Sequence, residues 1–158
     1  MRIAACSDAH GAQRKMDALL DALPPVDVLC FLGDMDKDAA YLDYGLQERQ
    51  PKAAFYAVAG NNDPFSQMAK TVELSFAGVK TMITHGHLFR GIRTTRSVLA
   101  GQAKRLGCQL VLYGHTHVQL DELIDGVRLV NPGALMLGEW ALVEVSAGGV
   151  TLMQRCGL

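Results

Sequence analysis

Hydrophobic and polar residues in the first part of the chain alternate in a pattern typical of a strand, a helix and a second strand. Residues 3–6 form a short apolar run, which predicts a strand. Apolar residues then recur at the i, i+3, i+4, i+7 spacing of an amphipathic helix, at Met16, Leu19, Leu20 and Leu23. Pro24-Pro25 ends this helix, and a second strand is predicted over residues 26–32. The chain is therefore predicted to open with a β-α-β unit, whose two strands pair in parallel.

The rest of the chain changes from helical crossovers to hairpins. A helix is predicted over residues 38–49, weakened by Gly45, and a third strand over residues 54–59. The later elements are predicted in this order: a hairpin with arms at 73–76 and 79–84, a helix at 92–106 ended by Gly107, a strand at 110–113, and hairpin turns at Asp125-Gly126 and at 147–149. Parallel opening strands and late hairpins predict an α/β fold with mixed sheets. No repeat or linker divides the chain, so we expect a single domain over residues 1–158.

Composition and charge narrow the class of protein. The chain has 158 residues, of which 49% are hydrophobic and 20% charged, as in globular proteins with a buried core. The formal net charge is -1, which disfavours the binding of extended nucleic acid. No apolar run approaches the ~20 residues that cross a bilayer, and Asp8 follows the N-terminus too closely for a signal peptide. Four cysteines without a CxxC pair predict buried free thiols, and we expect a cytoplasmic protein.

The five histidines share one position relative to the predicted elements. Each of them follows a predicted strand, in a short polar stretch that also holds Asp, Asn or Gly. Side chains at the carboxyl ends of strands converge in open α/β sheets, so these stretches are expected to meet in space. Imidazole nitrogens together with carboxylate and amide oxygens suit first-row divalent metals. At least seven such side chains exceed the four ligands of a single tetrahedral zinc site, which indicates two metal ions.

Six motifs occur in a fixed order: Asp8-Ala9-His10, Gly33-Asp34, Gly60-Asn61-Asn62-Asp63, Thr84-His85-Gly86-His87, Gly114-His115-Thr116-His117 and Asn131-Pro132-Gly133-Ala134. This order resembles the calcineurin-like metallophosphoesterase superfamily, and in particular its small bacterial and archaeal phosphodiesterases. The resemblance spans nearly the whole chain. It implies a four-layer α/β/β/α sandwich of two mixed sheets with helices on the outer faces.

The resemblance also implies a ligand set for each of two divalent metal ions. One ion would be held by Asp8, His10, Asp34 and His117. The other would be held by Asp34, Asn61, His85 and His115, which makes Asp34 the bridge. Manganese is the favoured metal, with zinc, nickel and iron as alternatives. The implied reaction is hydrolysis of a small phosphate ester, more readily a phosphodiester than a phosphomonoester, by a hydroxide that bridges the ions.

The sequence departs from the pattern of this superfamily at two places. Many relatives carry a histidine that protonates the leaving group, but here the position is Asn62, which cannot donate a proton as a general acid. His87 is the remaining candidate, either as that acid or as a hydrogen-bond donor to the phosphate. Asp63 is expected to orient a ligand or to cap a following helix. The segment after Ala134 is shorter than in the small phosphodiesterases and is expected near the mouth of the site.

Several other features leave alternatives open. A non-catalytic metal-binding scaffold of the same fold is one alternative function, and a nuclease is another. A homo-oligomer is also left open. Basic residues follow His87 and are interpreted first as a solvated helix start and second as a phosphate site: Arg90, Arg93 and Arg96. Four aromatic residues could stack on a nucleobase, although packing is their commoner use: Tyr41, Tyr44, Phe65 and Phe89.

Overall fold

The computed structural model describes residues 1–89 and 92–158, with the side chains of residues 92–95 left out. This part of the chain forms ten strands, three α-helices and one short 3-10 helix. The elements are β1 (Arg2–Cys6), α1 (Gln13–Ala22), β2 (Val28–Phe31), α2 (Asp36–Arg49), β3 (Ala54–Ala57), β4 (Thr71–Phe76), β5 (Val79–Thr84), α3 (Ile92–Arg105), β6 (Leu110–Tyr113), β7 (Leu120–Ile124), β8 (Val127–Asn131), a 3-10 turn (Leu135–Leu137), β9 (Glu139–Ser146) and β10 (Gly149–Gly157).

The strands form two mixed sheets of five strands each. The first sheet has the order β10-β9-β1-β2-β3, in which β1, β2 and β3 are parallel and the other pairs are antiparallel. The second has the order β4-β5-β6-β8-β7, in which β5, β6 and β8 are parallel and the two edge strands are antiparallel. The predicted β-α-β opening and the predicted hairpins are both confirmed.

Three clusters of buried apolar side chains separate the layers. One lies between α1, α2 and the first sheet, and it includes Leu19, Leu42 and Phe31. A second lies between the two sheets and includes Ile3 and Ile83. The third lies between α3 and the second sheet, around Leu99, Met82 and Val111. Because a strand points alternate side chains to opposite faces, each sheet contributes to two clusters. The fold is the predicted four-layer α/β/β/α sandwich.

Local differences from the predicted elements have identifiable causes. Helix α2 begins two residues earlier than predicted, at Asp36, because the side chain of Asp63 accepts the backbone N–H of that residue. Gly45, predicted to weaken α2, is instead a contact point between helices: a Cβ there would overlap the Leu20 side chain of α1. Glycine in this helix therefore permits close packing.

The predicted end of α3 at Gly107 is confirmed and takes the form of a Schellman motif. Gly107 has a φ of +72°. Its N–H donates to the carbonyl of Lys104, and the N–H of Cys108 donates to the carbonyl of Ala103. No helix of the described residues is long and apolar enough to cross a membrane. All four cysteines are free, and Cys156 is the one that is not fully buried.

Candidate metal centre

The predicted ligands lie on loops that leave the carboxyl ends of strands in both sheets. Strands β1, β2 and β3 run in parallel and are followed by the loops that carry Asp8, Asp34 and Asn61. Strands β5 and β6 run in parallel in the other sheet and lead to His85 and to the loop with His115 and His117. The two sheets therefore bring polar loops from five strands together at one edge of the sandwich.

One group of potential ligands surrounds Asp8. Nε2 of His117 lies 3.0 Å from Oδ1 of Asp8, and Nε2 of His10 lies 3.8 Å from the same oxygen. The Asp8 side chain is fully buried, whereas the two imidazoles are partly exposed. One carboxylate oxygen and two imidazole nitrogens thus lie within 4.8 Å of one another. This donor set could hold one divalent ion.

A second group surrounds His85 and shares Asp8 with the first. Nε2 of His85 lies 3.0 Å from Oδ1 of Asn61 and 3.4 Å from Oδ1 of Asp34. The same nitrogen lies 3.9 Å from Oδ1 of Asp8. His85 and both carboxylates are almost completely buried. The structure therefore brings Asn61, which the sequence offered as a neutral oxygen ligand, to the imidazole with which it was predicted to share a metal.

The tautomer of His85 favours a cation in this second group. Nδ1 lies 2.7 Å from the backbone carbonyl of Leu32, which can only accept, so Nδ1 carries a proton. In its neutral form this imidazole presents a lone pair at Nε2, which faces the oxygen atoms of Asn61, Asp34 and Asp8. In that form no donor lies between the four electron-rich atoms, and they repel one another. A divalent ion converts this repulsion into coordination, so the residues present fit a metal.

The two carboxylate oxygens of Asp34 face opposite halves of the site. Oδ1 lies 3.4 Å from Nε2 of His85, and Oδ2 lies 3.8 Å from Nε2 of His10. This orientation is the one that a bridging ligand requires, because each oxygen is directed to a different potential ion. Asp34 is also nearly inaccessible to solvent. Buried carboxylates are costly unless a cation compensates them, which again fits a metal centre.

The backbone of the site is held in an unusual conformation. Five of the seven predicted ligands have a positive φ: Asp8 (56°), His10 (48°), Asp34 (68°), His115 (67°) and His117 (55°). Residues other than glycine rarely adopt a positive φ, which costs about 1–3 kcal/mol for each residue. Residues in this conformation concentrate at functional sites. Gly33 and Gly60 supply the space that these loops need. A Cβ on Gly33 would lie 2.9 Å from Nδ1 of His85, and one on Gly60 would overlap Asp34.

Asp63 connects the loops that carry Asp34 and Asn61. Its Oδ1 accepts the backbone N–H groups of Met35 and Asp36, both at 2.9 Å, and its Oδ2 accepts that of Gly60 at 2.8 Å. The predicted role of orienting a ligand agrees with these contacts. The alternative prediction is wrong: no helix follows Asp63 before β4, and the carboxylate instead caps the first turn of α2, which lies earlier in the chain.

Asn62 contacts the bridging candidate directly. Its side-chain amide donates to Oδ2 of Asp34 at 2.8 Å, and its backbone N–H lies 3.1 Å from Oδ1 of the same residue. The residue that stands in the position of the superfamily's acid is thus directed at a carboxylate. In this geometry Asn62 can position Asp34, and it has no acidic proton to transfer.

His87 and His115 lie beside His85 and remain uncharged near neutral pH. Their ring centroids lie 5.4 and 5.1 Å from that of His85, and 6.3 Å from each other. Partial desolvation lowers the pKa of both imidazoles, although His115 is exposed, and the neighbouring imidazoles lower each pKa further. The Nδ1 atom of His87 is buried without a hydrogen-bond partner among the described residues. His87 therefore retains an unused polar atom beside the site, whereas His115 offers a neutral nitrogen.

Two buried polar residues support the site although the sequence analysis gives them no role. Asp38 accepts the N–H of Gly11 at 2.7 Å, directly after His10. Asn131 donates to the carbonyl of Gly114 at 2.7 Å and to Thr116 Oγ1 at 3.1 Å, and so holds the loop that carries two predicted ligands. An Asn at the end of a strand is a sequence signal for the role of Asn131 in holding this loop. Asp38 gave none, because an acidic residue in the first turn of a helix is ordinary.

The other features that the sequence analysis singled out lie either beside the site or on the surface. The segment after Ala134 forms a 3-10 turn whose backbone N–H groups donate to the carbonyls of Ser7 and Asp8, next to the site as expected. Arg96 pairs with Glu122 at 2.7 Å, which agrees with the surface interpretation. Arg90 and the side chain of Arg93 lie outside the described residues.

Comparisons with known proteins agree with this fold and this donor set. The sequence profile of the calcineurin-like phosphoesterase superfamily domain matches residues 1–148. A protein of Bacillus subtilis named probable metallophosphoesterase YsnB is 30% identical over 139 residues, which cover 87% of this chain and 76% of that protein. A probable metallophosphoesterase of Mycoplasma pneumoniae is 29% identical over 136 residues. These matches define the class of the protein as a metal-dependent phosphoesterase. The chain belongs to the calcineurin-like phosphoesterase superfamily.

Solved structures share the same fold over the whole chain. An archaeal phosphodiesterase superimposes with a TM-score of 0.75 at 20% identity and covers 100% of both chains. Vps29 from Entamoeba histolytica, solved with zinc, gives a TM-score of 0.71 at 18% identity and covers 99% of both. At these identities the likeness shows the fold alone. The choice between an enzyme and a scaffold therefore depends on the residues of this chain.

Proposed function

We propose that this chain is a dinuclear metal-dependent phosphodiesterase that hydrolyses a small phosphate ester. The observation that carries the proposal is the environment of His85, whose buried Nε2 faces the oxygens of Asn61, Asp34 and Asp8. Three oxygen atoms around one buried imidazole nitrogen provide the first ligands of a metal ion.

The seven predicted ligands divide between two ions in this proposal. Asp8, His10, Asp34 and His117 hold one, and Asp34, Asn61, His85 and His115 hold the other. The ions, manganese being favoured, supply a hydroxide nucleophile and Lewis-acid stabilisation of the phosphoryl oxygens. Two carboxylates against two divalent ions leave a charge of about +2, which attracts an anionic ester and offsets charge that develops during in-line attack.

The chain's own residues orient the reactants around these ions. Asn62 fixes the rotamer of Asp34 through the 2.8 Å hydrogen bond to Oδ2. Asp63 fixes the backbone of the two loops by accepting the N–H groups of Met35 and Gly60. Burial lowers the pKa of His87, which favours the neutral imidazole, and its Nδ1 has no partner among the described residues; we assign it as a hydrogen-bond donor to a phosphoryl oxygen. No general acid is assigned to the leaving group, and we therefore expect esters with acidic leaving groups to react fastest.

Three further observations shape the proposed substrate and setting. The net charge of -1 opposes binding of extended nucleic acid, which supports a small ester over a nuclease substrate. We propose a diester rather than a monoester, the class that the archaeal phosphodiesterase of the same fold is named for. The free buried thiols support a reducing compartment such as the cytoplasm, with residues 1–158 working as one catalytic unit.

Hydrolysis assays on manganese-loaded protein test the proposal. We expect bis(p-nitrophenyl) phosphate to be hydrolysed with a higher kcat/KM than p-nitrophenyl phosphate, and a dinucleotide to react more slowly because its leaving group is poor. His85→Ala should abolish turnover, whereas Tyr44→Ala, on the exposed face of α2, should retain it. Metal-saturated protein that hydrolyses none of the three esters would overturn the proposal in favour of a non-catalytic scaffold.

A further inference from the structure

A surface groove lies beside the metal centre, separated from it by Asn62, and runs past Phe65. Its inner part has a volume of about 370 Å³ and is lined by Met35, Asp36, Lys37, Asn62, Pro64 and Phe65. The side-chain amide of Asn62 donates to Oδ2 of Asp34, so this part of the groove borders the bridging candidate. A group attached to a phosphate at the metal centre would reach the groove by passing over Asn62.

Phe65 is the most exposed large apolar side chain of the described residues. It is 92% exposed, and it follows Asn62 by three positions in the chain. The loop that carries it is anchored, because Asp63 binds Gly60, Met35 and Asp36 and the N–H of Ser66 donates to the carbonyl of Asp63. An anchored loop that leaves an aromatic ring in water beside a polar site offers a stacking surface.

The charges in the outer part of the groove define its occupant further. This part has a volume of about 630 Å³, shares Asp36 and Phe65 with the inner part, and continues over α2 and β3 to Asp43 and Phe55. Two carboxylates and no cation occur among its described lining residues, which opposes a second phosphate group there. Carboxylates instead accept hydrogen bonds from N–H donors. An aromatic group that carries N–H donors and no negative charge fits both the exposed ring of Phe65 and the two carboxylates.

We propose that this groove binds a nucleobase, stacked on Phe65, of an ester whose phosphate lies at the metal centre. The inference rests on the proposed function, since the metal centre must hold the phosphate. It deepens that function by naming a nucleotide ester as the substrate class. Exocyclic amino groups of the base face Asp36 and Asp43, and the ribose spans the inner part between Asn62 and Phe65.

The other aromatic residues considered for stacking do not meet these conditions. Tyr41 is hydrogen-bonded to Asp17 and Gln13. Phe89 packs against the cluster under α3. Tyr44 is 68% exposed but does not line the groove. Tyr44 therefore provides a matched control, an exposed aromatic residue outside the groove.

Binding measurements on the metal-loaded full chain test the inference without relying on turnover. The affinities of adenosine 5′-monophosphate and methyl phosphate are measured by titration calorimetry for the unmodified protein, Phe65→Ala, Phe65→Trp and Tyr44→Ala. We expect Phe65→Ala to weaken the nucleotide about tenfold, ~1.4 kcal/mol, within the range of base–aromatic stacking. Methyl phosphate should bind all four proteins within about twofold of one another.

Phe65→Trp gives an independent signal from the proposed stack. This variant should retain nucleotide affinity, and the nucleotide but not methyl phosphate should quench the fluorescence of the new indole. The existing Trp140 is only 6% exposed and serves as the background. The inference would be overturned if Phe65→Ala lost affinity equally for both ligands or for neither of them. It would also be overturned if Tyr44→Ala weakened nucleotide binding as much as Phe65→Ala does. Nucleotide binding that depends on Phe65 in a protein without turnover would instead contradict the proposed function alone.

Discussion

Gly60→Ala tests whether the precise position of Asp34 controls activity. Gly60 is buried in the loop that joins β3 to Asn61, and its backbone does not need a positive φ. A Cβ at this position would lie 2.7 Å from Cγ of Asp34, and closer still to the Oδ1 and backbone N of that residue. Carbon atoms in contact normally lie ~3.5 Å or more apart, so the contact with Cγ alone requires Asp34 to move by about 0.8 Å, and the two closer contacts require more.

The expected loss follows from that displacement. A catalytic group moved by ~1 Å commonly costs about 100-fold in rate, or ~2.7 kcal/mol. We therefore expect kcat/KM for bis(p-nitrophenyl) phosphate to fall by about 100-fold or more in Gly60→Ala. The assay is run at saturating manganese, with circular dichroism to verify the fold and elemental analysis to measure bound metal.

Gly101→Ala provides the matched control for this substitution. Gly101 lies in α3, where a Cβ would meet no atom within 4 Å. The same added methyl group should leave activity unchanged there and raise the free energy of unfolding by about 0.5–1 kcal/mol, because alanine favours a helix. Activity of Gly60→Ala within threefold of the unmodified protein, at full metal content, would refute the argument that this contact holds Asp34 in place.

Three further predictions follow from the same contacts. Asp34→Asn should weaken both ions together, as measured by elemental analysis after dialysis; loss of only one ion contradicts the bridge. Desolvation lowers the pKa of His87 and His115 in the folded protein, so the unfolded chain binds protons at a higher pH than the folded chain does. The free energy of unfolding of the metal-free protein, measured in urea, should therefore fall as the pH drops from 7 to 5; a value that does not change with pH contradicts this prediction. Burial raises the pKa of Cys30 to about 12, so a thiol reagent at pH 8 should label Cys156 before Cys30; the reverse order contradicts the packing.

Periodicity and turn signals were sufficient to predict most of the fold. The i, i+3, i+4 spacing found α1, and the Asp125-Gly126 turn has the two positive φ angles, 50° and 82°, that its type requires. Gly45 could not be interpreted correctly, because its partner Leu20 lies on another helix. A helix propensity describes one segment, whereas the close approach of two helices is a tertiary property.

The sequence indicates which residues are candidate ligands but not the contacts that support them. Motif order and strand ends identified the potential ligands, because the carboxyl ends of parallel strands meet. The supporting contacts join distant parts of the chain: Asp63 reaches Met35, Asn131 reaches Gly114, and Asp38 reaches Gly11. Nothing in local sequence indicates which carboxylate accepts from which loop, since that depends on how the two sheets bring the loops together.

The number of metal ions per chain is the most direct test of the dinuclear centre. The purified protein is stripped with a chelator, reloaded with manganese, dialysed, and measured by elemental analysis against protein concentration, in parallel with His85→Ala and Tyr44→Ala. Two ions per chain are expected in the unmodified protein and in Tyr44→Ala, and one or fewer in His85→Ala. One ion or none at saturation in the unmodified protein would contradict the dinuclear centre.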